Sequence, residues 1–441
     1  MENATFVVGA FIVAVVLVPY LMSQKKKSKK VRVKISEAQK FGLYEPATIH
    51  PKVNKAICIG SGACITACPE QEILGKVNNQ AEPIYASRCV GHGACARACP
   101  VGAIELVFGT EKRGVDLPQV FPNFESNVKR LFIAGELGGM GLIKNAILQG
   151  KEAVDYSFED FRGAPYNRPA DMVDLVVVGA GPAGMSAALQ AKFLKMKFLL
   201  LDQEESFGGA ILSYPRAKVV MTRPADVPMY GKIKVGTLSK EELVALWKNI
   251  VEKTGLEINT GEKALSIENT GEAFNVKTSN RNISTRYVLL TTGRRGTPRK
   301  LGVPGEQLPK VMYRLLEPEH HENQKILVVG GGDSAVEAAV AFSCQKGTNV
   351  SLSYRGPAFG RIKADNQKRL DNLVAGKKVA LMMESNVKEI KTDSVTIEQK
   401  GNVREYPNDS VFVFAGGNLP NEFLRACGVS MDTHHGESRP R

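Results

Sequence analysis

The chain is poor in the residues that mark several enzyme classes. It holds six histidines and one tryptophan among its 441 residues. No Ser-His-Asp arrangement and no H-E-x-x-H run appears in it, so the motif-borne signs of triad hydrolases and zinc peptidases are missing. His320-His321 and His434-His435 are adjacent pairs. Adjacent residues do not share a helix face, so they read as solvated loop or tail rather than metal sites. Aromatics are 7% of the chain and do not interleave with basic residues as in nucleic-acid platforms, so no nucleic-acid partner is expected. Trp247 sits in EELVALWKNI, the pattern of an amphipathic helix on a core. Charge is missing from one stretch, Ala4 to Met22.

That stretch is close to the ~20 residues that span a bilayer as a helix, and Pro19 is tolerable there. A cleaved signal places positive charge before its apolar core and a small-residue cleavage site after it. Here Glu2 comes first, and Lys25, Lys26, Lys27, Lys29, Lys30, Arg32 and Lys34 follow. The expectation is an uncleaved single-pass anchor over residues 1–24. The positive-inside rule then places the rest on the cytoplasmic side of the cytoplasmic membrane. The basic run serves as a stop-transfer flank, with contact to anionic lipid as a second use. Much of the net charge of +13 lies in it, so the charge is local. Residues 25–55, with Pro46 and Pro51, read as a basic linker. Otherwise the composition, 43% hydrophobic and 23% charged with 42 glycines, is that of a globular protein, long enough for two or three domains.

Six of the eight cysteines form one word written twice. CIGSGACITACP carries Cys58, Cys64 and Cys68; CVGHGACARACP carries Cys89, Cys95 and Cys99. A ferredoxin run reads C-x2-C-x2-C-x3-C-P, with its last Cys serving the other cluster. Each copy keeps the first, third and fourth ligands, and the second is Ser61 in one and His92 in the other. Crossed ligation assigns Cys58, Cys64 and Cys99 to one site and Cys89, Cys95 and Cys68 to the other. The resemblance to ferredoxins lacking that cysteine favours a [3Fe–4S] cluster at one or both sites. A [4Fe–4S] cluster completed by His92 or by the Ser61 oxygen is the competing reading, since imidazole is a known iron ligand. Three Cys plus one His is also a zinc set. A decayed domain that binds nothing fits poorly with six retained thiols. Such clusters suit a reducing compartment. Short apolar segments, Ile73-Leu74 and Ala103 to Phe108, follow the two runs.

From Asp171 the pattern becomes strand, glycine turn, helix. Leu175 to Val178 opens into Gly179-x-Gly181-x-x-Gly184, a helical run follows, and the strand Phe198 to Leu201 ends at Asp202. This is a dinucleotide fingerprint in its proper context, with Asp202 placed to accept from ribose hydroxyls. A second begins at Lys325: KILVVGGGDSAVEAAV holds Gly330, Gly332, Asp333, Ser334 and Ala335 in the turn and first helical residues. Its next strand, Asn349 to Ser353, is followed by Tyr354-Arg355 and not by an acid. An arginine there can pair with a 2′-phosphate, which favours NADPH over NADH, with Arg361 as a second contact.

The paired fingerprints, with Gly208-Gly209 after the first and Thr291-Thr292-Gly293 later, resemble the thioredoxin-reductase-type flavoproteins of the pyridine nucleotide-disulfide oxidoreductase superfamily. The resemblance covers roughly Gly109 to Gly436. It implies FAD on the first fingerprint, held also by Gly208, Gly209, Thr292 and Gly293. It implies a nicotinamide cofactor on the second, in a domain inserted into the FAD domain, and usually a homodimer. Two departures matter. The family's late flavin motif is missing after Gly417 and stands upstream as LFIAGELGGMGLIKNAILQG, from Leu131 to Gly150. The FAD domain is therefore expected to be circularly permuted, with Gly135 and Glu136 at the flavin. The permutation joins ferredoxin unit to flavin domain through the short stretch Gly109 to Lys129, so clusters and flavin are expected to be neighbours. The second departure is that the family's redox C-x-x-C is absent: MYRLLEPEHHENQ stands in its place, as in bacillithiol-disulfide-reductase-like relatives. Cys344 and Cys427, alone in sequence, read as small buried hydrophobes.

The expected fold is thus α/β, with two Rossmann-like domains, a small α+β ferredoxin-like domain and an N-terminal transmembrane helix. The expected divisions are 56–108 ferredoxin-like, 109–165 permuted part of the FAD domain, 171–300 FAD, 301–413 NADPH and 414–441 return to the FAD domain. The expected function is an NAD(P)H-dependent flavin and iron–sulfur oxidoreductase serving an unidentified protein or quinone. The alternatives are a small-molecule disulfide or polysulfide reductase and a membrane-tethered redox sensor.

Overall fold

The computed structural model describes residues 2–40, 44, 46, 49–70, 72–89, 91–111, 114–139, 141–163, 169–213, 219–221, 224–233, 238–294, 296–315, 317–360, 362–418 and 420–438. Side chains are described for these except 2–14, 16, 40, 213, 219–221, 297, 364 and 418. The chain forms two compact units, Met1–Val115 with His435–Arg439, and Asp116–His434.

The first unit begins with a helix, Glu2–Lys40, with Pro19 inside it. The apolar stretch lies in this helix, and Leu17, Val18, Leu21 and Met22 are exposed. Among the described residues no helix is long and apolar enough to cross a membrane, and side chains 4–14 of the stretch fall outside that description. Residues 31–40, expected as linker, are helical instead. The reason is a stripe at helical spacing hidden among lysines. Val31 and Ile35 pack with Val77, Ile84 and Tyr85, and Ala38, one turn on, is fully buried. Gly75 makes the approach possible: a Cβ there would lie 2.7 Å from Val31 Cγ1. Arg32 donates to Asn78 Oδ1 at 2.6 Å, and Lys34 pairs with Glu72.

The ferredoxin-like part has an antiparallel pair, Ile49–Val53 with Ile104–Phe108, and a hairpin, Leu74–Val77 with Gln80–Pro83. Asn78 and Asn79 turn the hairpin, both at positive φ, as a two-residue turn with right-handed strand twist requires. Two short helices, Ala63–Thr66 and Ala94–Ala98, follow the cysteine loops. Residues 435–438 belong to this unit. Gly436 N donates to Phe108 O at 2.8 Å and Phe108 N to Glu437 O at 2.9 Å, so the tail satisfies edge groups of the strand.

The second unit holds two sheets. In the first the order is Ala264–Asn269, Phe274–Thr278, Asn282–Leu290, Val173–Val178, Phe198–Leu201. Val173–Val178 is buried throughout, as a central strand covered on both faces must be. The strand Leu131–Ile133 pairs parallel with Val288–Leu290. A strand far upstream of its sheet neighbour thus joins the first nucleotide sheet, as the permuted order requires. The helix Ile143–Gly163 packs on the helix Pro182–Phe193. A Cβ on Gly150 would lie 2.0 Å from Ala183 O, Ser186 Oγ donates to Ile147 O at 2.7 Å, and Gln190 donates to Asp155 at 2.6 Å. Trp247 is buried in the helix Lys240–Thr254, which opens with a Ser239–Glu242 capping box. The second sheet is parallel, in the order Val311–Met312, Ser410–Val413, Lys325–Val329, Asn349–Tyr354, Val379–Met383. An antiparallel meander, Ser385–Ile390, Ser394–Gln399 and Asn402–Pro407, adjoins it in sequence. His321, expected in a solvated loop, stands edge-on to Phe342 and Phe412 with centroids 5.6 and 5.0 Å away. Its ring Nδ1 meets Gln324 Oε1 at 2.9 Å.

Candidate functional site: two thiol triads and two glycine turns

The two cysteine loops repeat in backbone as well as in sequence. Gly60 and Gly62 in one, Gly91 and Gly93 in the other, all have positive φ, which L side chains rarely adopt. Each loop can therefore turn tightly. Ala81 N donates to Cys58 Sγ at 3.5 Å, Gly91 N to Cys89 Sγ at 3.4 Å and Ala103 N to Cys99 Sγ at 3.2 Å.

Cys64, Cys89 and Cys95 each have a thiol of the other run among their neighbours. Burial raises Cys64 above the ordinary thiol range, with Cys99 and then Cys58 adding to the rise. Burial likewise pushes Cys89 up to about 12, and Cys95, Cys68 and Glu70 contribute against a lowering bond from Gly91. Cys95 is raised by burial with Cys68 as its charged neighbour. A depression lined by Cys58, Ser61, Cys64 and Cys99 marks the first site. Among the described residues no three His, Cys, Asp or Glu side chains converge as ligands of one metal ion. That is compatible with a cluster, whose thiolates bind different irons and stand farther apart. Such thiols bind metal only as thiolates, so loading releases protons. His92 Nε2 stands 4.0 Å from Glu70 Oε1, with both side chains largely covered. The alternative ligand of the first loop, Ser61, accepts at Oγ from Ala63 N at 3.4 Å.

The first glycine turn gathers residues from three parts of the chain. Gly179 has φ 108, and a Cβ on it would lie 2.8 Å from Thr291 O. A Cβ on Gly184 would lie 1.8 Å from Gly179 O, so strand and helix touch there. Gly181 caps the helix, with Pro182 in its first turn, where a missing N–H does no harm. Above Gly181 the space is open up to Gly209 Cα, 4.0 Å from the place a Cβ would take. A cradle of bare backbone at a helix N-terminus fits a pyrophosphate. Gly208 N donates to Ala180 O at 2.9 Å, fixing the Gly208-Gly209 loop over the turn. Glu136 reaches the same place: its Oε2 lies 3.9 Å from a Cβ built on Gly293. Gly135 N donates to Gln149 Oε1 at 2.9 Å. The Gln149-Gly150 pair therefore has two jobs, holding this loop and admitting the neighbouring helix.

Asp202 is buried, and burial lifts its pKa above the ordinary carboxylate value. Its Oδ2 accepts from Ala180 N at 2.6 Å and its Oδ1 from Glu204 N at 2.9 Å. The carboxylate thus shapes the turn itself; each oxygen keeps a second lone pair for a ribose hydroxyl. Thr291 carries more of the geometry than the exposed Thr292, donating to Val178 O at 2.9 Å and Gly179 O at 2.7 Å. Arg294 was not foreseen. Burial lowers its pKa, while Glu136 and then Asp116 act in the opposite direction, and it donates to Asp116 O at 3.4 Å. Its only sequence sign is its place after Thr291-Thr292-Gly293.

The second turn repeats the first with other side chains. Gly330 has φ 149, Gly332 caps the helix Asp333–Ser343, and Ala335 is fully buried. Asp333 Oδ1 accepts from Lys363 N at 2.8 Å and from Asn366 at 2.7 Å, tying the next loop to the turn; Ser334 is half-buried beside it. The Tyr354 ring lies over Gly331, where a Cβ would come within 2.1 Å of it, and stacks on Phe359 at 5.3 Å. Arg355 is exposed next to that pair, and Arg361 lies outside the described residues. Arg314 grips Glu204 through two bonds, 2.9 and 2.7 Å. Cys427 is buried as expected, but Cys344 is exposed, because the helix ends there as a C-cap.

Comparison with known proteins agrees with this geometry. Residues 176–438 match the family model for pyridine nucleotide-disulphide oxidoreductases, and residues 50–100 match that of a 4Fe-4S dicluster domain. A ferredoxin--NADP reductase of Pediococcus pentosaceus is 33% identical over 193 residues, 43% of this chain and 56% of that protein. The chain thus spans little more than half the length of the first curated relatives it matches. The bacilliredoxin reductase Bdr of Bacillus subtilis is 25% identical over 59% of this chain and 82% of its own length. The solved bacillithiol disulfide reductase Bdr of Staphylococcus aureus is 26% identical with a TM-score of 0.52, over 59% of this chain and 81% of that one. The first match takes in more than half of the 441 residues, and the chain belongs to the pyridine nucleotide-disulphide oxidoreductase family, with a ferredoxin-like iron–sulfur domain fused to it.

Proposed function

We propose that this protein is an NADPH-linked oxidoreductase that carries its own ferredoxin. The observation behind this reading is the pair of crossed thiol triads in one polypeptide with two dinucleotide turns. A relative named ferredoxin--NADP reductase supports it. When bound, FAD would exchange hydride with the nicotinamide and single electrons with the clusters. The chain's residues do the holding. Gly181, Gly209 and the helix N-terminus take the pyrophosphate of FAD, Asp202 fixes the turn, and Glu136 offers a carboxylate beside Gly293. Gly332 and the helix behind it take the nicotinamide dinucleotide, and Arg355 selects the 2′-phosphate. A membrane anchor at residues 1–24 belongs to the same proposal, supported by the uncharged stretch, the exposed Leu17, Val18, Leu21 and Met22, and the lysines after it. It places the catalytic domains in the cytoplasm; sedimentation with membranes that is lost on deleting residues 2–24 tests it.

Anaerobic titration with NADPH tests the function. The expected result is bleaching of the flavin together with reduction of both clusters. A bleached flavin beside clusters that only dithionite reduces contradicts it.

A second reading is a small-molecule disulfide reductase, favoured by the longer cover of the bacilliredoxin reductase. NADPH-driven reduction of such a disulfide at undiminished rate in Cys58→Ser and Cys89→Ser variants would establish it.

A further inference from the structure

The duplicated run gives the two cluster sites the same thiols and the same left-handed glycines. It does not give them the same fourth corner. In the first loop that corner is Ser61, which lines the depression with Cys58, Cys64 and Cys99. A hydroxyl ligates iron well only after losing a proton, which it holds far above neutral pH. Here its oxygen already accepts from Ala63 N at 3.4 Å, in the first turn of the following helix.

In the second loop the equivalent residue is His92. Neutral imidazole is a ready ligand at pH 7. Gly91 and Gly93 share the left-handed conformation of Gly60 and Gly62, so His92 holds in its loop the place that Ser61 holds in the first. Glu70 is there as well: it is among the charges that act on the Cys89 thiol, and its Oε1 lies 4.0 Å from His92 Nε2. Both side chains are 17% exposed, so this is not a solvated surface pair. The first loop has no counterpart, because the residue after Cys99-Pro100 is Val101 where the residue after Cys68-Pro69 is Glu70. A carboxylate behind an imidazole is how proteins orient a ligating histidine and raise its basicity.

We propose that the two sites hold different clusters: a three-iron cluster on Cys58, Cys64 and Cys99, and a four-iron cluster on Cys89, Cys95, Cys68 and His92, with Glu70 as the positioning residue for His92. With Nε2 turned to Glu70, the ligating atom is Nδ1. The proposal rests on the iron–sulfur part of the functional reading, not on its NADPH chemistry.

The test uses the full-length protein purified anaerobically, and needs neither NADPH nor a functional flavin. Iron analysis should give about seven irons per chain. The oxidised protein should show one three-iron spin per chain. The dithionite-reduced protein should show a second signal with hyperfine coupling to an imidazole nitrogen in pulsed EPR. His92→Cys should abolish the nitrogen coupling and keep the iron. Ser61→Cys should abolish the three-iron spin and raise iron to about eight. Glu70→Gln should keep the nitrogen coupling and raise the midpoint potential of that cluster, because a nearby negative charge is removed. Two three-iron spins per chain, no nitrogen coupling, or coupling that survives His92→Cys each overturn the assignment. An unchanged potential in Glu70→Gln removes Glu70 from it. If the iron result stands while NADPH reduces nothing, the functional proposal has failed and this one has not.

Discussion

In the first glycine turn Asp202 is buried and binds the amides of Ala180 and Glu204. In the second, the matching strand ends in Tyr354 and an exposed Arg355, and the acid nearest the turn, Asp333, instead ties down Lys363 N. The third small residue differs too. Gly184 sits where a Cβ would lie 1.8 Å from Gly179 O, whereas Ala335 has room for its methyl. One backbone design thus serves two purposes. The first turn is closed tightly from three parts of the chain and suits a resident cofactor. The second carries its charge at the rim, on the exposed Arg355, and suits a cofactor that comes and goes.

The contrast can be broken most severely at the third position. Gly184→Ala should cost about 2–3 kcal/mol through overpacking and yield protein depleted of flavin, read from the visible spectrum after gel filtration. Ala335→Gly should cost only about 1 kcal/mol and keep its flavin. Similar losses in both would show the turns to be equivalent. Next in size is Arg355→Asp. It should raise the KM for NADPH on the order of 100-fold, the loss of a charge-assisted phosphate contact, and leave that for NADH little changed. Equal effects on both coenzymes would remove Arg355 from the 2′-phosphate.

A smaller effect separates the turns by pH. Burial holds Asp202 above its ordinary pKa, so the fold favours its neutral form. Its contribution is fully present below the unfolded value of about 3.9 and is lost as pH rises through the folded one. Urea midpoints should therefore shift in favour of Asp202→Asn, relative to wild type, as pH is raised from 4. A constant difference contradicts this. The smallest effect should be that of Arg314→Ala. Its pair with Glu204 is about half and a third exposed, so its removal should cost only about 0.5 kcal/mol, fading at high salt.

Much of this was legible because it rests on short-range rules. Strand, glycine spacing and helix identify each turn, and the strand Leu131–Ile133 beside Val288–Leu290 is where the displaced LFIAGELGG motif had to go. The thiol triads follow from the repeat. What was hidden depends on partners far away in the chain. The stripe Val31, Ile35, Ala38 is drowned in lysines and reads as linker until Gly75 and Ile84 are opposite it. Arg294 gains meaning only beside Glu136 and Asp116, and His321 only between Phe342 and Phe412. Cys344 misled because an apolar helix pattern gives no sign that the helix stops at that residue. Gly436 and Glu437 look like a tail, and only their backbone bonds to Phe108 give them a place.

In the proposed function, electrons from a nicotinamide reach the iron on the cluster thiols within one chain. Anaerobic stopped-flow mixing with NADPH tests it directly. The expected result is flavin bleaching followed by cluster reduction, with a second-phase rate independent of protein concentration. A second phase that is absent, or that quickens in proportion to protein concentration, would contradict it.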